Sequence, residues 1–213
     1  MVKQLLISIK ITLVLLIVVS FAYPLVVWGI AQAAFSKQAN GSLIRNSQGV
    51  VIGSELLGQG FTKAQYFQTR PSAAGNGYDP TESGGTNLGP TSDKLINGVH
   101  KPDLSPGKPD PSDYEGVKDL AKDYRSENGL AASTPVPVDA VTRSASGLDP
   151  DISPENAALQ VDRVAKARNV DPSAIKAVVA ENTKQRDLGF LGEPRVNVLK
   201  LNLALDAKYP VSK

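Results

Sequence analysis

The amino-acid sequence predicts an α+β protein in which one N-terminal transmembrane helix precedes a single soluble domain. We expect that domain to contain mainly helices, with a small sheet and long loops rich in glycine and proline. Three observations support this fold class: an uncharged apolar run near the N-terminus, a stretch at 71–90 dense in glycine and proline, and helix start signals in the second half. The length of 213 residues suits one ordinary domain and an anchor.

The N-terminal segment 1–36 is the predicted membrane anchor. No charged residue occurs from residue 11 to residue 36, and about 20 apolar residues in a helix cross the bilayer core. We place the transmembrane helix at about 11–31. A cleaved signal peptide is the alternative, because Ala31-Gln32-Ala33 resembles a cleavage site. The length of the apolar run favours a retained anchor, since the apolar part of a signal peptide is shorter.

Charged residues on either side of the run predict its orientation. Lys3 and Lys10 precede it and Lys37 and Arg45 follow it, and together with the α-amine this bias favours a cytoplasmic N-terminus. The soluble domain at 37–213 would then be extracytoplasmic. Of the 23 basic residues, the 21 left after Lys3 and Lys10 balance 21 acidic ones. We therefore expect no nucleic-acid partner, which would need clustered positive charge.

The first part of the soluble domain is predicted to hold one strand and two loops. The apolar residues at 50–52 lie between two glycines, which is typical of a short strand. Residues 71–90 contain too many glycines and prolines for a regular element, but nearby aromatic residues indicate an ordered loop. A second loop, polar and rich in proline, at 98–111 begins an inserted region at about 98–132.

The second part is predicted to hold several helices. Ser112-x-x-Glu115 is a capping box that opens a helix ending near Gly129. Ser153-Pro154 and Asp171-Pro172 each place a capping side chain before a proline at the first helical position. The last segment is ambiguous, because its leucines alternate with other residues as in a strand, whereas Asn197 is a good N-cap. We choose a helix there.

Composition excludes several kinds of catalytic site. The chain has no cysteine and one histidine, so thiolate chemistry and Fe–S ligation are excluded and a Ser-His-Asp triad would need His100. We expect His100 to be solvated in its loop, and we expect no metal site. The sequence also lacks a P-loop pattern and a G-x-S-x-G nucleophile elbow, so it predicts neither a phosphate cradle nor a catalytic serine.

A few polar residues are candidates for a specific role. Asp149 and Asp151 are close together, as paired catalytic or metal-binding carboxylates are, but a turn leading into a helix cap explains them better. We expect Glu193 to pair locally with Arg195. Arg70 precedes a proline, and its guanidinium could bind a partner's carboxylate or phosphate group, or brace the glycine-rich loop through backbone carbonyls. Both interpretations of Arg70 stay open.

Several longer motifs together resemble one family. They occupy 66–79 (YFQTRPSAAGNGYD), 83–90 (SGGTNLGP), 135–142 (PVPVDAVT), 146–150 (SGLDP) and 191–199 (LGEPRVNVL). Over nearly its whole length the chain is similar to KdpC, the C subunit of the bacterial high-affinity potassium-transporting P-type ATPase. Two features depart from that family: the region 98–132 is longer and richer in proline, and Asp151 stands where the family usually has histidine.

The resemblance implies a non-catalytic accessory subunit of an ATP-driven potassium uptake complex in the bacterial plasma (inner) membrane. The implied partners are a channel-like potassium-binding subunit, a P-type pump subunit and a very small single-span subunit. These partners would handle ATP and potassium, with no cofactor bound directly to this chain. The family is described as a catalytic chaperone that is needed for assembly and raises the ATP affinity of the pump subunit. A nucleotide-contacting glutamine is sometimes proposed, and the candidates here are Gln59, Gln160 and Gln185.

The predicted orientation conflicts with direct nucleotide contact, because ATP is cytoplasmic. We therefore expect the domain to cap or brace the extracytoplasmic mouth of the channel-like subunit, and any effect on ATP affinity to be allosteric. The residues expected to contact a partner or to brace the loops are Arg70, Tyr78, Ser83, Gly84, Gly85, Asn87, Arg195 and Asn197. The alternative function is a membrane-anchored extracytoplasmic cell-wall hydrolase acting through two carboxylates.

Overall fold

The N-terminal apolar run is helical in the computed structural model, which describes residues 1–102 and 112–211. Helix α1 (Val2–Ile17), a π-helical turn (Val18–Ala22) and helix α2 (Tyr23–Ala34) follow one another without a break. Within the described residues, this continuous helix of 33 residues is the one long and apolar enough to cross a membrane. It starts earlier and ends later than the predicted span.

The π-helical turn accommodates Pro24. A proline inside an α-helix lacks a backbone N–H, and its ring clashes with the carbonyl of the residue four positions earlier, here Ser20. In the wider turn, the N–H of Tyr23 donates instead to the carbonyl of Val18, five residues back. The helix therefore continues past the proline. It ends at Phe35, whose φ of −135° leaves the helical region.

A short hairpin completes the first of two units of the chain, Met1–Ser54. After helix α3 (Ser36–Ala39), strands β1 (Leu43–Arg45) and β2 (Val51–Ser54) pair antiparallel, with Leu43 opposite Ser54. The predicted strand is thus confirmed, one residue later than expected. The side chain of Asn46 shapes the turn, since its Oδ1 accepts from the N–H groups of Gln48 and Val50 at 3.0 and 2.9 Å.

The second unit, Glu55–Lys213, contains the remaining elements. Its helices are α4 (Asp93–Asn97), α5 (Val117–Glu127), α6 (Val138–Val141), α7 (Pro154–Arg168), α8 (Pro172–Glu181) and α9 (Val198–Lys208). Its strands are β3 (Asp151–Ile152), β4 (Thr183–Lys184) and β5 (Arg195–Asn197). The strands form one antiparallel sheet in the order β3-β5-β4, with Val196 opposite both Ile152 and Thr183.

The three helix starts predicted at Ser153, Asp171 and Asn197 are confirmed. Ser153 Oγ accepts from the N–H of Asn156 at 3.1 Å, and Asp171 Oδ1 accepts from that of Ser173 at 2.8 Å. Asn197 Oδ1 accepts from the N–H of Lys200 at 3.1 Å, so the final segment is a helix. Each bond satisfies an N–H group that the first turn of a helix leaves without an intrahelical partner.

The capping box predicted at Ser112 is wrong. Helix α5 begins at Val117 after Gly116, whose N–H donates to the carboxylate of Asp119 at 2.9 Å. Tyr114 instead pairs with Val99 through two backbone hydrogen bonds of 2.8 Å, which hold it in an extended conformation. The predicted end is confirmed, because α5 stops at Glu127 just before Gly129. Residues 103–111 of the predicted insertion lie outside the described residues.

One apolar core lies between helices α7, α8 and α9 and strands β3 and β5. Its fully or nearly buried members are Phe67, Ile152, Ala157, Val161, Val164, Ala165, Ile175, Val178, Val179, Val196, Val198, Leu201 and Leu205. Helices α7 and α8 contribute the members of this core that lie between 157 and 179. A smaller cluster around Tyr124, Ala140 and Val141 joins α5 to α6.

Candidate functional site

The longest irregular segment of the second unit, residues 59–90, has a fixed path that we call the clamped loop. Two buried carboxamides hold the backbone of two consecutive loop residues. Asn202 Oδ1 accepts from the N–H of Phe67 at 2.8 Å, and Asn202 Nδ2 donates to the Phe67 carbonyl at 2.9 Å. Gln160 Oε1 accepts from the N–H of Gln68 at 2.8 Å, and Gln160 Nε2 donates to the Gln68 carbonyl at 3.2 Å. The loop thus pairs with side chains of α9 and α7 as a strand pairs with its neighbour.

Gln160 uses its whole hydrogen-bonding capacity inside the protein. Besides the bonds to Gln68, its Oε1 accepts from Nη2 of Arg163 at 2.7 Å and its Nε2 donates to Oδ1 of Asn156 at 2.9 Å. A carboxamide offers two donor hydrogens and two acceptor lone pairs, so all four are occupied. The side chain is also almost fully buried, at 1% exposure. A nucleotide contact by Gln160 would require breaking these bonds.

A polar network continues from Gln160 toward helix α6. Tyr124 Oη donates to Oδ1 of Asn156 at 2.8 Å, and Asn156 Nδ2 donates to the carboxylate of Asp139 at 3.0 Å. Asp139 also accepts from the N–H and Oγ of Ser153, at 2.8 and 3.0 Å. Burial, with the charge of Asp139, raises the pKa of Tyr124 far above its ordinary value. The phenol therefore stays a neutral donor.

Two arginines of α7 hold the start of the clamped loop. Arg163 Nη1 donates to the carbonyls of Ala64 and Tyr66, both at 2.8 Å. Arg168 Nε donates to the carbonyl of Gln65 at 2.8 Å, and its Nη2 forms an ion pair with Asp206 at 2.8 Å. Burial lowers the pKa of Arg163, but an arginine remains charged at neutral pH.

Arg70 lies on the inner side of the clamped loop. Its Nη1 donates to Oδ2 of Asp149 at 2.9 Å, while its Nε and Nη2 reach the carbonyl of Thr142 at 3.4 and 3.3 Å. The hydroxyl of Tyr78 donates to the Arg70 carbonyl at 2.7 Å. Arg70 thus connects the loop to Thr142 and Asp149, at and after the end of α6, whereas Tyr78 bonds a residue of its own loop.

The serine and glycine residues of the loop lie against a second turn at 144–147. Ser83 Oγ and the N–H of Gly84 both donate to the carbonyl of Ser146, at 3.0 and 2.9 Å. A side chain at Gly85 would lie 2.9 Å from the carbonyl oxygen of Ala145, so only glycine fits there without a shift. Asn87 is exposed and has a positive φ of 52°. The turn and the loop thus fix each other's path.

Arg195 and Asn197 lie on β5, away from those contacts. Arg195 Nε is 3.2 Å from the carboxylate of Asp151, and its Nη2 is 3.4 Å from that of Asp187. Glu193 pairs with Arg186 at 2.6 Å, so the expected local pair with Arg195 is wrong. Glu193 is thus taken up by Arg186, while the guanidinium of Arg195 is taken up by Asp151 and Asp187. Asn197 Nδ2 donates to the carbonyl of Glu55 at 2.9 Å.

An open cleft of about 540 Å³ lies between Arg70 and Arg195, with Asp149 and Asp151 in its wall. Burial raises the pKa of Asp151; the nearby charge of Asp149 adds to this, and Arg195 opposes it. Each carboxylate has an arginine within ion-pair distance. In the described part of the chain, no group of three or more His, Cys, Asp or Glu residues is arranged to hold a metal ion.

The remaining candidate glutamines have different surroundings from Gln160. Gln59 is half-buried at the start of the clamped loop, and its carbonyl accepts from Oγ1 of Thr69 at 3.0 Å. Gln185 is exposed directly after β4. The three glutamines therefore belong to three separate elements. His100 is exposed in its loop, as expected, with Nε2 3.4 Å from the carboxylate of Asp119.

Sequence reasoning missed the residues that clamp the loop, above all Asn202, Arg163 and Arg168. A signal was available for Asn202, which follows Leu201 and precedes Leu205 on a face otherwise filled with apolar residues. A polar residue on the buried face of a helix needs a partner. The identity of that partner, 135 residues earlier, could not be inferred from local pattern.

Comparisons with known proteins all match the chain to the same family over nearly its whole length. A family model described as the K⁺-transporting ATPase c chain matches residues 5–207. The chain is 46% identical over 209 residues to the potassium-transporting ATPase KdpC subunit of Koribacter versatilis, covering 98% of this chain and 97% of that protein. It is 50% identical over 194 residues to the KdpC subunit of Caulobacter vibrioides (91% and 88% covered) and 48% identical over 204 residues to that of Mycobacterium tuberculosis (96% and 98% covered).

Proposed function

Because the chain belongs to the KdpC family, the c chain of K⁺-transporting ATPases, we propose that it braces the extracytoplasmic side of that complex. The protein is a subunit of the Kdp potassium-transporting ATPase complex and is not itself catalytic. Its N-terminus lies in the cytoplasm, its helix spans the bacterial plasma membrane, and its domain covers the mouth of the channel-like potassium-binding subunit. The P-type pump subunit and the small single-span subunit are its further partners.

The clamped loop is the observation that carries this proposal. A brace has to present a fixed shape, and this segment has one although it contains neither helix nor strand. Buried side chains on α7 and α9 bond its backbone, and Arg70 ties it to Asp149. These side chains spend their hydrogen bonds inside the protein, where they hold the loop rigid. Binding sites are often carried by loops that a rigid scaffold supports, because a preorganised surface loses less entropy when a partner binds.

The effect on the pump subunit is allosteric in this account. The subunit binds one conformation of the complex more tightly than another, which raises ATP affinity without touching ATP. ATP and potassium are bound by the partners. The saturated carboxamide of Gln160 supports this assignment, because none of its donors or acceptors is left for a nucleotide.

The names of the relatives give no support to a cell-wall hydrolase. That function needs two free carboxylates, and the close pair Asp149 and Asp151 lies within ion-pair distance of Arg70 and Arg195. This alternative is set aside.

Steady-state ATP hydrolysis by the whole complex tests the allosteric role. We expect Gln185→Ala and Gln59→Ala to leave the KM for ATP within about twofold of the parent, like the matched control Gln38→Ala on α3. The complex without this subunit should need a clearly higher ATP concentration, or fail to assemble. A rise of tenfold or more in KM for Gln185→Ala, with assembly unchanged, would contradict the proposal, since tenfold corresponds to about 1.4 kcal/mol of lost binding.

A further inference from the structure

The turn between β4 and β5 exposes three large apolar side chains. Leu188 is 82% exposed, Phe190 69% and Leu191 49%. We call these three residues the apolar tip. Single exposed apolar residues are common on protein surfaces, but a contiguous group of large ones marks an interaction site. None of the described residues of the second unit covers the tip.

The backbone of the turn is held firmly despite this exposure. Asp187 and Leu191 exchange two backbone hydrogen bonds of 2.9 Å, and the N–H of Phe190 donates to the carbonyl of Asp187 at 3.3 Å. Ion pairs flank the turn on both sides: Lys184 with Asp187 at 2.9 Å, and Arg186 with Glu193 at 2.6 Å. The apolar tip is therefore presented in one defined geometry.

Leu188 has a left-handed backbone conformation, which glycine and asparagine adopt more readily than leucine does. Its φ is 54° and that of Gly189 is 82°, so both central residues of the turn are left-handed, as in a type I′ turn, where Asn-Gly is preferred. A leucine in this region is strained because its Cβ approaches the backbone. Such strain persists where the surrounding structure enforces it and points to a function for the side chain. Here the strained residue is the most exposed of the tip.

The surroundings of the tip fit a protein pocket better than a lipid surface. The flanks of the tip carry both signs of charge, since Asp187 pairs with Lys184 and Glu193 with Arg186, whereas binding to an anionic bilayer relies on an excess of basic residues. An apolar centre with a rim of charged residues is the usual anatomy of a protein–protein interface. The fixed backbone geometry of the tip also favours a protein partner. A pocket of complementary shape requires such a fixed geometry, whereas insertion among lipid chains does not.

We propose that the apolar tip inserts into an apolar pocket of another subunit of the ATPase complex. This inference rests on the proposed function, because it assumes that the domain is covered by partner subunits, and it identifies the part of the domain that makes the central contact. Phe190 and Leu188 fill the pocket, and the charged residues at the base of the turn form its polar rim.

Substitution at Leu188 separates this role from a structural one. Leu188→Asn places the preferred residue in the turn, so the variant chain should be at least as resistant to urea as the parent while it forms the complex at least tenfold less well. Phe190→Ser should weaken the complex to a similar degree. The matched control is Val138→Ser, because Val138 is also large, apolar and 73% exposed; it should assemble like the parent. Normal assembly of both tip variants would overturn the proposal.

Photo-crosslinking identifies what covers the tip. The photoreactive amino acid p-benzoylphenylalanine replaces Phe190 in the whole complex in its membrane, with the same replacement at exposed Lys176 of α8 as the control. A crosslink from position 190 to another subunit is the expected result. Crosslinks to lipid, to a second copy of this chain, or to nothing would each overturn the proposal. The side of the membrane on which the domain lies is measured separately, so a wrong orientation and a wrong contact are distinguishable.

Discussion

Asn202, on the buried face of α9, pairs with both backbone polar groups of Phe67, accepting at 2.8 Å and donating at 2.9 Å. Phe67 itself is fully buried in the core. The side chain of Asn202 thus anchors the clamped loop at Phe67, the residue through which the loop enters the core. In the described part of the chain, no buried side-chain nitrogen or oxygen lacks a hydrogen-bond partner.

Removing this carboxamide should destabilise the domain. Asn202→Leu keeps a similar volume but leaves the N–H and carbonyl of Phe67 buried without partners. We expect the free energy of unfolding to fall by about 2–4 kcal/mol, since each such group costs about 1–3 kcal/mol. Urea unfolding of the full chain in detergent measures this change. Asn76→Leu, at an exposed loop position, is the control and should change stability by less than about 0.5 kcal/mol. Equal effects of the two substitutions would contradict the anchoring role.

Two glycines of the loop should respond differently to alanine. Gly85→Ala would bring a Cβ within 2.9 Å of the Ala145 carbonyl, and we expect it to lower the free energy of unfolding by about 1–3 kcal/mol, as overpacking does. Gly89 has open space around it and no positive φ. Gly89→Ala should therefore be neutral or stabilise by up to about 1 kcal/mol, because it restricts the unfolded chain. Thermal unfolding of the two variants side by side tests the close contact, and a harmless Gly85→Ala would disprove it.

Asp151 should make stability depend on pH in the acidic range. Burial raises its pKa in the folded state above the unfolded value of 3.8. The protonated form is thus favoured by folding, so this contribution is full below the unfolded pKa and is lost as pH rises through the folded pKa. Asp151→Asn cannot titrate, and its stability relative to the parent should rise with pH above about 4 and then level off.

The measurement for Asp151 is the difference in unfolding free energy between variant and parent at a series of pH values from about 3.5 to 7. Asp171→Asn is an informative control, because hydrogen bonds from Ser173 lower the pKa of Asp171. That variant should lose stability relative to the parent as pH rises from low values. A difference for Asp151→Asn that is flat or that falls with pH would contradict the burial argument.

The sequence was informative where structure depends on neighbouring residues. The Ser-Pro, Asp-Pro and Asn signals located the starts of α7, α8 and α9, because each cap bonds an N–H only two or three residues away. The Ser112 signal failed because Tyr114 pairs with Val99, which lies 15 residues earlier within the inserted region. A local sequence pattern gives no information on such a contact. Strands β3, β4 and β5 have only two or three residues each, too few to show an alternating pattern.

The candidate site was predicted only in part for a similar reason. The loop residues themselves were visible as a motif, and Arg70 lies among them. The carboxamides that hold them come from α7 and α9, 92 and 135 residues later along the chain. Chain topology alone brings these segments together, so the clamping carboxamides became apparent only in the structure.

The side of the membrane occupied by the domain tests the central claim most directly. The chain has no cysteine, so a single cysteine can be placed at exposed Ser126 of α5, and another at Val2 before the membrane-spanning part of the helix. Sealed spheroplasts are then treated with a membrane-impermeant maleimide. We predict that the cysteine at position 126 is labelled at once and that the one at position 2 is labelled only after lysis. If the cysteine at position 126 is labelled only after lysis, the domain lies in the cytoplasm, where ATP is found. That result would contradict the proposal of an extracytoplasmic brace.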